Sequence, residues 1–192
     1  MPHELLSNKI VGIIGFGHIG VELAKMLKAL GAKVYGINRS GKSPIKINFI
    51  GKLDSLNYVL SNSDIIVIAL PLTKTTRGFF NRDKFETLKK NVIIVNISRG
   101  PVIDAQALYH FLKQNKDAIA ALDVWWKYPE NYDKIVYQDF PFHELDNVIM
   151  TPHVAGFSPD IRRDVFRNAL LNIKRFLMGE KPTNIVDKCD YI

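Results

Sequence analysis

The sequence has a single cysteine, no long hydrophobic run and no metal-ligand spacing. Cys189 has no second cysteine to pair with, which excludes an internal disulfide and favours a reducing, cytoplasmic location. No apolar run reaches transmembrane length, and Met1 opens no signal-peptide pattern. The five histidines lack the spacing of metal ligands, so we expect no metal site. These absences argue against a secreted, membrane-spanning or metal-dependent protein.

The charge of the chain is moderately positive. Lysine and arginine number 26 against 19 acidic residues, which gives a net charge of +7. Such a balance is compatible with nucleic acid, a membrane surface or an anionic cofactor as partner. The basic residues are spread along the chain, however, and form no dense run. We therefore expect a solvated surface, with no nucleic-acid and no membrane partner.

Short apolar runs alternate with helical patterns along the whole chain. The runs are continuously apolar, which is typical of strands buried on both faces of a parallel sheet. We therefore predict an α/β fold of the Rossmann type, a doubly wound parallel sheet with helices on both faces. Residues 1–157 would form this domain, and 158–192 its C-terminal helix and tail. Strands are expected at Ile10–Ile14, Lys33–Ile37, 45–50, 64–70, 92–96, 118–124 and 147–150.

Capping residues indicate where several helices begin. A helix is expected at about 54–60. Either Asn81 or Asp83 can cap a helix that runs to residue 90, and Asp104 can cap another through residue 112. Ser158, followed directly by a proline, is a candidate cap for the last helix.

The first predicted strand leads into three glycines with the spacing GxGxxG and then into a helical pattern. In a dinucleotide site, Gly15 would permit the tight turn and Gly17 would let the backbone approach a pyrophosphate. Gly20 would let the helix pack closely on the strand, and the helix N-terminus would offer free N–H groups to the phosphates. The alternative is an ordinary turn between a strand and a helix.

Five stretches of the sequence, taken in order, form a more specific set. They are GIIGFGHIG (12–20), SDIIVIALPLTKTTRGFF (63–80), VNISRGPVID (95–104), AALDV (120–124) and NVIMTPHVAG (147–156). This set resembles the NAD(P)-binding domain of the D-isomer-specific 2-hydroxyacid dehydrogenases, and it covers nearly the whole chain. The resemblance implies a hydride transfer that interconverts a 2-oxo acid and a D-2-hydroxy acid.

The resemblance also implies roles for three residues. Arg99 would hold the carboxylate and carbonyl of the substrate, which suits a guanidinium because it binds carboxylate as a fork and keeps its charge. His153 would be the acid/base group that protonates the carbonyl oxygen as the hydride arrives. Asp123 would bind the nicotinamide carboxamide. The alternatives are a surface arginine in a turn for Arg99, and helix caps for His153 and Asp123.

By the same resemblance, seven further residues would bind the cofactor. Backbone N–H groups at the start of the first helix would bind the pyrophosphate, and the loop after the 64–70 strand would line the adenosine side. The residues are His18 and Ile19 for the pyrophosphate, Pro71, Leu72 and Thr76 for the adenosine, and Ile97 and Ser98 after the 92–96 strand.

The end of the second predicted strand departs from the usual NAD pattern. An acidic residue commonly binds the ribose hydroxyls there, but this chain has Asn38, followed by Arg39 and Ser40. Without the carboxylate, a 2′-phosphate meets no repulsion, and Arg39 and Ser40 supply a charge and hydrogen-bond donors for it. We therefore expect NADP(H) to be favoured over NAD(H). Alternatively, Asn38 still serves NAD and Arg39 points to water.

A second departure lies in the loop after the sixth strand. Family members usually have a glutamate before the loop proline, paired with the histidine, and Tyr128 takes that place here. A neutral tyrosine could orient the His153 ring through a hydrogen bond without supplying a charge, and Glu130 is the alternative partner. Trp125 and Trp126 could wall an apolar substrate pocket, although core or interface positions are favoured slightly.

These observations predict an oxidoreductase domain that transfers a hydride between NAD(P)H and a small 2-oxo acid. The alternative is a cofactor-binding sensor or interaction module without turnover. Family members carry an additional domain at the front, so we expect residues 158–192 to pack on a substrate domain that this chain lacks. A homodimer is also expected, because apolar and aromatic residues gather in a loop-rich stretch. They are Trp125, Trp126, Tyr137, Phe140 and Phe142.

Overall fold

The computed structural model describes residues 4–130 and 138–186, which contain seven strands and five α-helices. The strands are β1 (Ile10–Ile14), β2 (Lys33–Ile37), β3 (Phe49–Gly51), β4 (Ile65–Ile68), β5 (Ile93–Asn96), β6 (Ile119–Leu122) and β7 (Val148–Met150). The helices are α1 (His18–Ala29), α2 (Leu56–Asn62), α3 (Arg82–Thr87), α4 (Ala105–Gln114) and α5 (Pro159–Leu177).

The seven strands form one parallel sheet in the order β3-β2-β1-β4-β5-β6-β7. The chain moves outward from β1 to β3 and then returns to place β4 on the other side of β1. In register, Ile14 at the end of β1 lies between Ile37 of β2 and Ile68 of β4. The topological switch point is therefore at the carboxyl ends of β1 and β4, where ligands of doubly wound sheets bind. The predicted fold class is confirmed.

Successive side chains of a strand point to opposite faces of the sheet, so two apolar clusters form. One face carries α2, α3 and α4 over a cluster that contains the fully buried Phe80, Phe85 and Leu108. The other face carries α1, with Ile13 and Ala24 at the centre of the second cluster. Helices thus cover both faces, as the continuously apolar strands predicted.

The α1 face is incomplete at the β7 edge. Ile149 is in register with Ala121, which pairs with Val95 on the α1 face, yet its side chain is 60% exposed. The last helix, α5, also exposes apolar side chains along its length. These are Ile161, Val165, Phe166, Leu170, Leu171, Ile173, Phe176 and Leu177. Within the described residues, both apolar surfaces lack a covering element.

The helix caps decide between several predictions. Asn81, and not Asp83, caps α3, because its side chain accepts the backbone N–H three residues on. This helix ends at Thr87, earlier than the predicted residue 90, because the chain becomes extended at Leu88. Asp104 caps α4 through a 2.9 Å hydrogen bond of the same kind. Ser158 stands at the cap position of α5 with a proline at the start of the helix, as predicted, although its side chain makes no capping hydrogen bond.

The aromatic residues that suggested a dimer surface lie largely inside the fold. Phe142 is buried, and Trp126 stacks on it with ring centroids 5.2 Å apart. Phe140 is half-buried against the same cluster, and Tyr137 lies outside the described residues.

None of the helices in the described ranges is long and apolar enough to cross a membrane. Across those same ranges, no group of three or more His, Cys, Asp or Glu residues is placed to hold a metal ion.

Candidate active site

The turn after β1 has a geometry that requires glycine. Gly15 has a φ of +100°, and an added Cβ would lie 2.6 Å from the carbonyl carbon and oxygen of Ala69. At Gly20, an added Cβ would lie 3.0 Å from the Gly15 carbonyl oxygen and 3.1 Å from Ile13. The turn and the start of α1 are therefore packed as tightly as the glycine spacing predicted.

Gly17 differs from its two partners because its surroundings are open. Apart from the glycine and its chain neighbours, no heavy atom lies within 4 Å of the position that a Cβ would occupy there, and its backbone caps α1 in an extended conformation. The N–H groups of His18 and Ile19 follow directly and, as first-turn groups, have no acceptor within the helix. The Ile19 side chain is 63% exposed. This combination leaves room and donors for a phosphate group.

A cavity of about 500 Å³ opens at the switch point between β1 and β4. It is bounded by the glycine turn, the turn after β2 and the loop after β4. Among the predicted cofactor residues, the lining includes Gly15, Gly17, Asn38, Arg39, Ser40, Pro71 and Thr76. Further side chains also line it, among them Leu53, Leu70, Thr73, Thr75 and Phe79.

The Asn38 side chain is occupied by its own turn. Its amide N–H groups donate to the carbonyls of Phe16 (3.1 Å) and Lys42 (2.8 Å). Its oxygen accepts from the Gly41 N–H (2.7 Å) and from the Ser40 hydroxyl (3.2 Å). Asn38 therefore ties the turn after β2 to the glycine turn, and a ribose hydroxyl would have to displace one of these bonds.

Seven predicted cofactor residues lie outside the lining of this cavity, namely His18, Ile19, Gly20, Leu72, Ile97, Ser98 and Asp123. Leu72 packs against the cluster beneath α2, α3 and α4, and Ile97 packs against the cluster beneath α1. Ser98 is buried, and both its N–H and its hydroxyl donate to the side-chain oxygen of Asn96, at 3.0 and 2.9 Å. Ser98 thus shapes the turn after β5.

The turn after β5 presents Arg99 to solvent. The side chain of Asn96, buried at the end of the strand, donates to the Arg99 carbonyl at 3.2 Å and fixes the turn. The guanidinium is exposed and donates one hydrogen bond, to the Ser98 carbonyl at 2.6 Å. Because a guanidinium has five donors, most of them are free for a carboxylate. Asn96 was missed from sequence, although a polar residue ending a buried apolar strand was a usable signal.

Asp123 joins the end of β6 to the loop that carries His153. Its carboxylate accepts from the Thr151 hydroxyl (2.6 Å), the Val154 N–H (2.9 Å) and the Ala155 N–H (3.1 Å). Burial alone would raise the pKa of this carboxyl, but these hydrogen bonds and the nearby His153 outweigh burial and hold the pKa below its usual value. Asp123 therefore caps no helix and anchors a loop instead.

His153 is exposed and has a φ of +60°, which is unusual for a residue with a side chain. The ring of Tyr128 lies beside it, with centroids 5.4 Å apart and a tilt of 39°. The Tyr128 hydroxyl accepts the Trp125 N–H at 2.9 Å, and no hydrogen bond joins Tyr128 to His153. Tyr128 thus meets the imidazole through its ring face or edge. The alternative partner, Glu130, is exposed and makes no ion pair with His153.

The two neighbouring tryptophans have different surroundings. The Trp126 indole N–H donates to the Ile103 carbonyl at 2.7 Å, which fixes the ring within the core. The Trp125 indole N–H donates to the Thr151 carbonyl at 3.0 Å, across to the histidine loop. Neither residue lines the switch-point cavity. The core interpretation of Trp126 is therefore correct.

The doubly wound sheet, the glycine turn and a cavity at the switch point together define a dinucleotide-binding domain. Comparison with known proteins refines this class. The family model described as "D-isomer specific 2-hydroxyacid dehydrogenase, NAD binding domain" matches residues 1–155. The chain belongs to this family.

Individual relatives agree with the family assignment. Glyoxylate reductase of Pyrococcus furiosus is 33% identical over 95% of this chain and 52% of its own length. The D-lactate dehydrogenase of Lactobacillus jensenii, solved with NAD+, has a TM-score of 0.80 at 28% identity, over 97% of this chain and 58% of its own. A family member from Xanthobacter autotrophicus, solved with NADPH, has a TM-score of 0.81 at 31% identity, over 97% of this chain and 74% of its own. The chain thus spans about half the length of the curated relative.

Proposed function

We propose that this chain is the cofactor domain of an NAD(P)-dependent D-2-hydroxyacid dehydrogenase. The observation that carries the proposal is the position of Arg99 after β5 and of the His153 loop after β7. Both follow carboxyl ends of the sheet that holds the glycine-turn cavity. An exposed arginine and an exposed histidine beside a dinucleotide site suit the reduction of a small 2-oxo acid.

The chemistry follows from the properties of these side chains. The nicotinamide, when bound, supplies a hydride to the carbonyl carbon of the 2-oxo acid. Arg99 would pair with the substrate carboxylate through its unoccupied N–H donors and so orient the carbonyl. The imidazolium of His153 would give its proton to the carbonyl oxygen, which leaves a neutral imidazole and a D-2-hydroxy acid. The reverse reaction uses the same imidazole as a base.

An assay of hydride transfer tests this proposal. The full-length protein, carrying this chain and a substrate domain, should oxidise NAD(P)H when glyoxylate, hydroxypyruvate or pyruvate is added. Arg99→Ala should raise KM strongly, and His153→Ala should lower kcat by about a hundredfold or more, since general acid catalysis contributes roughly 10²–10⁴. Cofactor binding without turnover of any 2-oxo acid would favour the rival function, a sensor or interaction module.

We propose further that NADP(H) binds more tightly than NAD(H). No acidic residue lines the cavity within the described residues, while Arg39 and Ser40 lie at its rim. Asn38 supports the preference indirectly, because its amide holds the turn that presents both side chains. A charge-assisted hydrogen bond contributes about 1.5–3 kcal/mol, which corresponds to roughly tenfold or more in affinity.

Calorimetry with NADPH and NADH measures this preference directly. Arg39→Ala should weaken NADPH binding by about tenfold and leave NADH binding nearly unchanged. Lys33→Ala, which removes an exposed cation at the start of β2, the strand that precedes Arg39, is the matched control and should change neither. Equal affinities for the two cofactors, or an unchanged preference in Arg39→Ala, would contradict the proposal.

We propose a larger assembly around this domain. The exposed apolar side chains of α5 and the exposed Ile149 supply surfaces for a substrate domain and for a second copy of the chain. A cytoplasmic homodimer is the assembly we expect. Sedimentation of the full-length protein that gave only monomer at high micromolar concentration would count against the dimer.

A further inference from the structure

We infer that Trp125 is a positioning residue that holds the turn of Arg99 and the loop of His153 in one fixed arrangement. The inference deepens the proposed function, on which it rests. Trp125 is half-buried and lies two residues after Asp123, between the two segments. Its indole reaches the histidine loop, and its backbone carbonyl group lies against the arginine turn.

The indole ring holds the histidine side of the site. Its N–H donates to the carbonyl of Thr151, two residues before His153, at 3.0 Å. The backbone N–H of Trp125 donates to the Tyr128 hydroxyl at 2.9 Å, and the Tyr128 ring lies against the His153 ring. Trp125 therefore holds two groups next to His153, the Thr151 carbonyl on its backbone side and the Tyr128 ring on its side-chain side.

The conformation of His153 shows why such support is needed. A φ of +60° in a residue with a side chain is disfavoured and persists only where the surroundings determine it. The Asp123 carboxylate holds the residues after His153, at Val154 and Ala155. The indole of Trp125 holds the carbonyl of Thr151, two residues before His153. The loop is thus tied down on both sides of the histidine.

The backbone of Trp125 meets the arginine side of the site. A Cβ added to Gly100 would overlap the carbonyl group of Trp125, so the two backbones are in direct contact. Gly100 is buried and directly follows Arg99. A displacement of Trp125 would consequently move the turn that presents the guanidinium as well as the loop that presents the imidazole.

Trp126 provides a matched comparison within the same loop. Its indole N–H also donates to a backbone carbonyl, but that carbonyl belongs to Ile103, and its ring stacks on Phe142 in the core. Phenylalanine at either position removes one indole hydrogen bond and keeps an aromatic ring. Only the change at Trp125 removes a bond that leads to His153.

Nuclear magnetic resonance on the 192-residue chain tests the inference without any need for turnover. In the wild-type protein, the Trp125 indole N–H should exchange with solvent at least tenfold more slowly than a free indole. The His153 ring protons should carry a ring-current shift from Tyr128. Trp125→Phe should abolish most of that shift and broaden the signal, whereas Trp126→Phe should preserve it. Should Trp125→Phe fail to fold, Tyr128→Phe keeps the test open, because losing the hydroxyl that accepts the Trp125 N–H should also reduce the shift.

Kinetics of the full-length enzyme supply the functional readout. Trp125→Phe should lower kcat by about tenfold or more, since small displacements of reacting groups are costly, while KM for NADPH stays within twofold. A freely exchanging Trp125 indole, or unchanged His153 signals in both Trp125→Phe and Tyr128→Phe, would overturn the inference. An inactive wild-type enzyme with the predicted His153 signals would instead overturn the proposed function alone.

Discussion

Asp123 shows how one buried side chain can organise a site at the residue scale. Its carboxylate accepts three hydrogen bonds from residues 151–155, and a second aspartate is held in a comparable way. Asp64 accepts the Ile10 N–H at 2.8 Å and pairs with Lys89 at 2.7 Å. Burial alone would raise the pKa of Asp64, but these donors and the charge of Lys89 outweigh it and lower the pKa. Both carboxylates therefore stabilise the fold in their charged form.

This arrangement predicts a dependence of stability on pH. Because both folded pKa values lie below the unfolded value of ~3.9, their stabilisation is fully present above that pH and is lost as pH falls through the folded values. Asp123→Asn should lower the free energy of unfolding at pH 7 by about 1–3 kcal/mol and flatten its decline as the pH falls below about 4. Urea denaturation at several pH values measures both effects.

The control for this prediction is Asp117→Asn, which changes an exposed aspartate in a turn. It should leave the free energy of unfolding and its pH dependence nearly unchanged. Equal behaviour of the Asp117 and Asp123 variants would contradict the loop-anchoring role of Asp123.

At the scale of elements, two helices that each begin with a candidate capping residue differ in their hydrogen bonds. Asp104 accepts the Ala107 N–H, whereas Ser158 makes no capping hydrogen bond. Asp104→Ala should therefore lower the free energy of unfolding by about 1 kcal/mol, and Ser158→Ala should change it by less than about 0.5 kcal/mol. Thermal and urea denaturation measure the free energy of unfolding of both variants. Equal losses in the two would contradict the prediction that only Asp104 stabilises its helix through a capping hydrogen bond.

The helix α5 contributes little apolar burial to the described core. Phe166 is 65% exposed, while Phe85 in α3 is 2% exposed. In this chain, Phe85→Ala should cost about 3–5 kcal/mol, and Phe166→Ala should stay within about 0.5 kcal/mol. A large loss from Phe166→Ala, measured by urea denaturation, would mean that α5 is already packed against another surface.

At the scale of the whole molecule, the sequence determined the sheet better than the site. Continuous apolar strands and the glycine spacing were enough to predict the fold, because parallel strands need cover on both faces. The structure places Tyr128 beside His153, as the sequence predicted. The predicted hydrogen bond between them is absent, since the Tyr128 hydroxyl accepts from the Trp125 N–H instead. A residue pattern carries no information on which of several nearby hydrogen-bond partners a side chain selects.

The same limit applies to the cavity and to the loop anchors. Leu53 and Phe79 line the cavity, but isolated apolar residues outside the predicted strands and helices give no signal of their own in the sequence. The contacts of Asp123 and Trp125 with residues 151–155 join segments almost 30 positions apart. Such pairs become visible only when the sheet brings the ends of β6 and β7 together.

We propose that the switch-point cavity binds a dinucleotide against the open face of Gly17. Gly17→Val should be tolerated by the fold, at a cost of about 1 kcal/mol at the helix cap, because no heavy atom beyond the chain neighbours lies within 4 Å of the added Cβ position. Gly156→Val is the matched control, at another exposed glycine with open surroundings.

Calorimetric titration of NADPH into the wild-type chain and these two variants is the most direct measurement. We predict saturable binding at one site in the wild type and in Gly156→Val, and at least tenfold weaker binding in Gly17→Val with its circular dichroism unchanged. Binding of NADPH to a folded Gly17→Val chain with wild-type affinity, or no binding to the wild type, would contradict the account.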